Sequence, residues 1–336
     1  MNAPCRHFMT TELLETNSKE LRATAVARAV DALKRGDVVA LPSETVYGLA
    51  ADATNANAVA KIFEAKERPL FDPLIVHVAE PGDIDEFARV PDSCRKLIGQ
   101  FWPGPLTLIL SRLGTRVPDI VTAGLPTVAV RAPEHPLFRE VLSVFGKPLA
   151  APSANRFGRI SPTSAEHVLR ELDGRIPLII SAESAVHGVE STIVQLEEGQ
   201  LRILRNGPIT PEQLSEFGEV VVWKQSNIAI APGQSKSHYA PVTPFVVMED
   251  GLSVSLDPGK RYGLLRFNSQ FQPANSFAVV ETLSKTGNLR EAAQNLFAAM
   301  RRLDASGVDI IVAQAVEEQG MGHAIMDRLR RASARE

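Results

Sequence analysis

The sequence predicts an α/β protein in two domains, and three observations carry the prediction. Apolar, β-rich runs alternate with helical patterns along most of the chain. That alternation breaks once, over residues 224–244, where Pro232, Gly233, Pro241 and Pro244 gather among serines and threonines in the composition of a linker. The length, 336 residues with 44% hydrophobic and 22% charged, suits two cores, because single cores stop growing near roughly 250–300 residues. The expected division is a first domain at 1–223, a linker at 224–244 that can fold over a site, and a smaller domain at 245–336.

Each element has a local reason. Asn17 with Glu20 resembles a capping box that opens a helix through Leu21, Ala25, Ala29 and Leu33, which Gly36 closes. Strands are predicted at Val38–Leu41, Leu74–Val78, Leu106–Leu110, Thr127–Arg131, Leu149–Pro152, Leu178–Ser181, Thr192–Leu196 and Leu201–Leu204. Helices are predicted near Asn57–Ala65, Ser93–Phe101, Pro136–Phe145, Ser164–Leu172 and Pro211–Phe217. Some strands follow each other too closely for a helical crossover, so the sheet should be mixed. Beyond the linker, strands at Phe245–Met248, Tyr262–Phe267, Phe277–Thr282 and Asp309–Val316 and helices at Leu289–Leu303 and near Ala324–Ala332 make a small three-layer, Rossmann-like α/β domain.

Two short strings point to chemistry: Lys66-Glu67-Arg68-Pro69 and Ser153-Ala154-Asn155. Each sets two polar side chains at i and i+2, which share a side only on an extended segment, and Pro69 favours that geometry for the residue before it. Lys66 and Arg68 then form a phosphate cradle, the guanidinium fork gripping two oxygens and the ammonium acting as a mobile charge. Ser153 and Asn155 add neutral hydrogen bonds.

These strings, with Ser43-Glu44-Thr45-Val46-Tyr47-Gly48-Leu49, Pro73-Leu74-Ile75-Val76-His77, Gly188-Val189-Glu190-Ser191-Thr192 and Leu204-Arg205-Asn206-Gly207-Pro208, resemble the YrdC-type threonylcarbamoyl-AMP synthases. The segment from Pro232-Gly233 to His238-Tyr239-Ala240-Pro241 resembles the linker of the longer, two-domain members. The resemblance implies a twisted mixed sheet around a large concave cavity. It also implies condensation of L-threonine, bicarbonate or CO2 and ATP to threonylcarbamoyl-AMP with release of pyrophosphate, for N6-threonylcarbamoyladenosine in tRNA. By the same resemblance Lys66, Arg68, Asp72, Thr127, Ser153, Ser161, Arg205, His238 and Tyr239 hold ATP, with its Mg2+. Thr45, His77, Arg131, Ala151 and Ser191 hold threonine, Arg131 being a natural fork for its carboxylate, and Asn155 orients the reacting groups. Two departures stand out. Asp72 occupies a position where the family often has asparagine, so it either approaches Mg2+ or pairs with Arg68. The linker reads Ser235-Lys236-Ser237-His238-Tyr239, one lysine and one tyrosine poorer than in many relatives.

Composition excludes other classes. Net charge is −3, from 25 basic and 28 acidic residues in 1–240 and 11 of each beyond, which disfavours a protein whose main task is to coat nucleic acid. Cys5 and Cys94 are too few for a disulfide framework or zinc cluster, in keeping with a reducing cytoplasm, and no apolar run reaches the roughly 18 residues of a membrane span. There is no P-loop, no Gly-x-Gly-x-x-Gly and no Gly-x-Ser-x-Gly, so side chains must hold any ATP. Two alternatives remain: a related carbamoyl-adenylate chemistry, as in hydrogenase-maturation carbamoyltransferases, and a non-enzymatic RNA-binding module using Lys66, Arg68, Arg156 and Arg159. The synthase's expected downstream partner is the tRNA threonylcarbamoyl-transfer machinery, with weak RNA binding possible alongside it.

Overall fold

The structure, a computed structural model, describes residues 10–222, 238–248, 256–271 and 276–334. Within these, the first domain runs β1 (Glu12–Leu14), α1 (Lys19–Lys34), β2 (Val39–Leu41), β3 (Gly48–Asp52), α2 (Ala56–Lys66), β4 (Ile75–His77), a 3-10 turn (Pro81–Glu86), β5 (Ala88–Arg89), α3 (Asp92–Phe101) and β6 (Leu106–Arg112). It continues through α4 (Asp119–Thr122), β7 (Thr127–Arg131), α5 (Pro136–Phe145), β8 (Leu149–Ala150), α6 (Ala165–Leu172), β9 (Leu178–Ile180), β10 (Thr192–Glu197), β11 (Gln200–Arg205), α7 (Pro211–Leu214) and β12 (Glu219–Val222). The sheet order is β1-β9-β2-β3-β8-β4-β7-β6-β10-β11-β12, with β5 joined to β6. It is mixed, as expected: β4 and β7 are parallel, while β6 and β7 are antiparallel.

Local chemistry explains the helix ends. Ser18, not Asn17, caps α1, its hydroxyl accepting the Leu21 amide at 3.2 Å. The helix then buries Ala25, Ala29 and Leu33 with Val26 and Val30, one apolar stripe at helical spacing, and packs on α5. Asn55 caps α2 through the amides of Asn57 and Ala58. At its other end α2 stops on Glu67 in the left-handed region, φ 54°.

The second domain holds β13 (Phe245–Met248), β14 (Tyr262–Arg266), β15 (Val279–Thr282), α8 (Leu289–Asp304), β16 (Ile310–Gln314) and α9 (Gly322–Ser333), with the strands all parallel in the order β13-β16-β14-β15. Both helices lie on one face and share a core with Ile311 and Ala313. Val312 points the other way, into a cluster with Leu256, Phe271 and Phe277. Among the described residues, then, the expected third layer is made by connecting segments and not by a helix.

The domains are packed into one another. Val46, Ile160 and Val189 of the first belong to the same core as α8 and α9, together with Tyr239. The backbones come close at Gly188, φ +69°, where an added Cβ would lie 2.4 Å from Gln294 Cα in α8. Gly188→Ala should therefore lose roughly 1–3 kcal/mol to backbone strain alone, and more as α8 is pushed away. A thermal unfolding scan tests this, and an unchanged melting temperature would contradict the packing.

Candidate active site

The strand ends of β4, β7 and β8 and the segments before β3 and before β10 converge on one cavity. Its volume is about 50 Å3, and its walls include Thr45, Arg68, His77, Arg131, Ala151, Ser153, Ser191, Arg205, His238 and Tyr239, ten of the fifteen candidate residues. His77 and Arg131 are register partners on parallel strands, which is why they face the cavity together. The remaining five candidates, Lys66, Asp72, Thr127, Asn155 and Ser161, lie outside its lining.

The Lys66–Arg68 string is not extended. Lys66 is the last residue of α2, Glu67 is its left-handed cap, and the chain turns there so that Arg68 faces the cavity while Lys66 stays behind it. Lys66 is 1% exposed and its Nζ donates to the carbonyl oxygens of Ser153 and Asn155, each at 2.5 Å. The lysine thus clamps the second string in place, and burial, with Arg68 nearby, lowers its pKa well below the ordinary value. Asn155 in turn donates to the carbonyls of Arg156 and Arg159, at 2.7 and 2.9 Å, which fixes the loop but leaves its Oδ1 without a partner.

Arg68 donates to the carbonyls of Asp72 and Pro73, at 3.2 and 2.8 Å, and forms an ion pair with the Asp72 carboxylate at 2.9 Å. That contact is electrostatic only, since neither Asp72 oxygen has hydrogen-bond geometry to any donor. Burial raises the Asp72 carboxyl above its ordinary value against the pull of Arg68 and Lys66. Of the two readings of Asp72, pairing with Arg68 is the one the geometry realises.

Arg131 is held from three sides. Its Nε donates to Gly104 O at 3.1 Å, Nη1 to Thr45 Oγ1 at 3.0 Å, and Nη2 to the Glu44 carboxylate. The turn at Trp102–Pro105 therefore supplies a carbonyl that orients this guanidinium. Burial alone would raise the Glu44 carboxyl, but Arg131 outweighs it and the net shift is downward. A guanidinium has five N–H donors, so two remain for a ligand after these contacts. His77 stacks on Phe138 with ring centroids 5.1 Å apart, and its buried Nδ1 has no partner. A satisfied core histidine would have one.

Ser191 and Arg205 form a second cluster. Ser191 Oγ shares a hydrogen bond with Thr107 Oγ1 at 2.7 Å, and Arg205 reaches Ser191 Oγ and its carbonyl, both at 3.1 Å. Ser161 is fully buried and donates to Glu190, whose other oxygen accepts from Arg328 of α9 at 3.0 and 3.1 Å. Thr127 is half-buried at the far end of β7, four residues before Arg131.

His238 and Tyr239 close the cavity from the linker. Tyr239 has φ 61° and lies between Phe297 and the Arg328 guanidinium, 5.3 Å from the ring centroid. Its hydroxyl and the His238 Nδ1 are buried without partners. Linker positions 224–237, including Lys236, lie outside the described residues. Glu44, Thr107, Glu190 and Arg328 are functional neighbours that sequence reasoning passed over. Glu44 and Glu190 had a signal, a carboxylate inside an otherwise apolar motif, whereas Arg328 had none.

These imidazoles make the fold acid-sensitive. Burial, aided by Arg131, holds His77 down to about 3. Burial also lowers His167 to about 4 and depresses His135, His187 and His238. The unfolded chain binds protons below about pH 6.5 that the native state refuses, so stability is full above that pH and is lost as pH falls toward 3. His77 alone accounts for about 3 kcal/mol between pH 6.5 and 4. Urea unfolding from pH 4 to 7 should show stability rising with pH, with a shallower slope in His77→Gln; equal slopes would contradict the neutral, buried state.

The fold and this cation-lined cavity define an α/β protein of the Sua5–YciO–YrdC class: residues 31–207 match that family, described as telomere recombination, and residues 209–334 match the C-terminal domain of threonylcarbamoyl-AMP synthase. The chain belongs to the threonylcarbamoyl-AMP synthase family. It is 39% identical to the threonylcarbamoyl-AMP synthase of Pyrococcus abyssi, covering 90% of this chain and 92% of the relative, and 39% identical to that of Bacillus subtilis, covering 96% and 95%. Among solved structures it is similar to P. abyssi Sua5 complexed with L-threonine, with a TM-score of 0.88 and 37% identity over 96% of this chain and 98% of that one. Full-length HypF, at 19% identity and a TM-score of 0.50, shares the fold alone. Among the described residues no helix is long and apolar enough to cross a membrane.

Proposed function

We propose that the cavity condenses L-threonine, bicarbonate or CO2 and ATP into threonylcarbamoyl-AMP, releasing pyrophosphate, and supplies the tRNA threonylcarbamoyl-transfer machinery. The observation that carries this reading is the meeting, in one cavity, of two arginines suited to phosphates, Arg68 and Arg205, with a carboxylate- and hydroxyl-binding set of groups, Arg131, Thr45, His77 and Ser191. The P. abyssi protein with L-threonine bound supports it.

In the proposed reaction the threonine amine adds to CO2 and loses a proton, giving a carbamate. A carbamate oxygen attacks the α-phosphorus of ATP, and the bond to the bridging oxygen of pyrophosphate breaks. The nucleophile is already an anion, so the step requires positioning and neutralisation of charge more than a strong base. Arg131 takes the threonine carboxylate with its two remaining donors. Arg68 and Arg205 stabilise negative charge on the phosphates. Lys66 and Asn155 act indirectly, by fixing the loop that presents Ser153. Neutral His77 offers the substrate hydroxyl a partner.

A cavity of about 50 Å3 is far below the roughly 300–1,000 Å3 of sites that take drug-sized ligands. His238 and Tyr239 line it from the linker, so their withdrawal would widen it for ATP and their return would exclude water from a hydrolysable product. Among the described residues no group of three or more His, Cys, Asp or Glu is placed to hold a metal. Asp72 and Glu190 are paired with Arg68 and Arg328. Mg2+ would arrive with the substrate triphosphate, whose oxygens supply most of its ligands.

The RNA-binding reading loses two of its four residues, because Lys66 and Arg68 are 1% and 7% exposed, while Arg156 and Arg159 line a separate cleft. The deciding test is incorporation of carbon-labelled bicarbonate into an adenylate when threonine and ATP are present. A labelled product with the mass of threonylcarbamoyl-AMP is expected; labelled carbamate with no adenylate would overturn the proposal.

A further inference from the structure

A second cleft lies outside the active site, on the other side of the linker. Its volume is about 240 Å3, and it is lined by Arg156, Arg159, Arg170 and Arg175 of the first domain, Ala240 and Val242 of the linker, and Arg301 of α8. Two carboxylates, Glu171 and Asp304, complete the wall against these five arginines. Both are already engaged. Glu171 pairs with Arg301 at 3.1 Å, and Asp304 accepts the backbone amides of Val242 and Thr243 at 3.1 and 2.8 Å. Arg156 and Arg175 pair with Glu67 outside the cleft. Among the described residues Arg159 and Arg170 have no carboxylate partner, so the cleft carries uncompensated positive charge.

Arg301 points independently to a ligand. It is 9% exposed, donates to Ile160 O and Glu171, and yet its buried Nε has no partner. Glu171 balances the Arg301 charge, but the idle Nε costs a hydrogen bond, and the guanidinium groups of Arg159 and Arg170 that line the same cleft have no carboxylate partner among the described residues. His167 feels the same field: after burial, the positive charges of Arg301 and Arg170 are the next causes of its lowered pKa.

We propose that this cleft is a second anion site that takes a small inorganic polyphosphate, with Arg159, Arg170 and Arg301 as its principal donors. The volume suits a few phosphate groups, and planar guanidinium forks suit their oxygens. The site joins three parts of the chain. Ala240 already hydrogen-bonds to Gly158 O at 2.8 Å and bridges to Arg159, while Asp304 holds Val242 and Thr243. An anion seated there touches both domains and the linker residues immediately after His238 and Tyr239, so its binding favours the closed arrangement. This goes beyond the proposed synthase activity, and its test needs no turnover.

The probe is inorganic tripolyphosphate, titrated calorimetrically into the full chain, into Arg159→Ser/Arg170→Ser and into Arg159→Lys/Arg170→Lys. The serine variant should bind one tripolyphosphate fewer than the native chain, or bind it at least about tenfold more weakly at one site, as expected for loss of charge-assisted hydrogen bonds. The lysine variant should keep the stoichiometry. Equal melting temperatures without the anion exclude misfolding, since neither side chain makes an ion pair to lose. Identical stoichiometry and affinity in the native and serine proteins would overturn the proposal. So would an RNA oligonucleotide binding through these arginines while tripolyphosphate fails to bind.

Discussion

Valine in place of threonine should lower kcat/KM by roughly 10⁴–10⁵, whereas serine should lower it by only about 10–200-fold. The asymmetry follows from how the cavity is built. The buried Nδ1 of His77 has no partner, while Thr45 and Ser191 sit within networks that already join them to Arg131 and Arg205. A substrate hydroxyl completes this arrangement; valine fills the same space and leaves the polar groups unpaired in a buried site. Serine keeps the hydroxyl and forfeits only a methyl contact, worth about 1–3 kcal/mol. Comparison of the three amino acids in a bicarbonate-dependent assay measures the difference directly. If valine matched serine, the hydroxyl would not be read by these residues.

Arg68→Ala should reduce pyrophosphate release by roughly 10²–10³ with the fold intact, the usual loss when one donor to developing charge is removed. Its guanidinium faces the cavity, and removing it leaves Asp72 buried and uncompensated, so Arg68→Ala/Asp72→Asn should recover stability without recovering rate. Lys66→Ala should behave differently. The ammonium holds the carbonyls of Ser153 and Asn155, so its loss leaves two buried acceptors idle and should lower the melting temperature as well as the rate. Near-normal turnover by a folded Arg68→Ala protein would remove Arg68 from the site, and an unchanged melting temperature for Lys66→Ala would contradict the clamp.

The contrast between these two residues shows how far the sequence could be read. The pairing of Lys66 with Arg68 was legible, because two cations beside a proline are unusual in an apolar context. Their geometry was not, since it depends on a left-handed cap formed by a glutamate, where glycine is the ordinary signal. Helix Pro136–Phe145 and strand Thr127–Arg131 were read to the residue, each having a clear period and a proline or arginine at its edge. Gly48–Asp52 was missed as a strand because all five residues are buried, which erases the alternation that marks a strand. The β1 edge strand is only three residues long, too short to carry a period. Ten candidate residues lie in the lining because short motifs sit at strand ends, where backbone direction aims them at the same place. The network from Ser161 through Glu190 to Arg328 spans both domains, and a pair 138 positions apart leaves no local trace.

The most direct test of the central claim is pyrophosphate release from the full-length protein with threonine, bicarbonate and ATP omitted one at a time. Release should require all three and fall to background whenever any one is missing, because the bond to pyrophosphate breaks only when a threonine-derived carbamate attacks the α-phosphorus. Release that continues at the same rate without threonine would contradict the assignment of this cavity to threonylcarbamoyl-AMP synthesis.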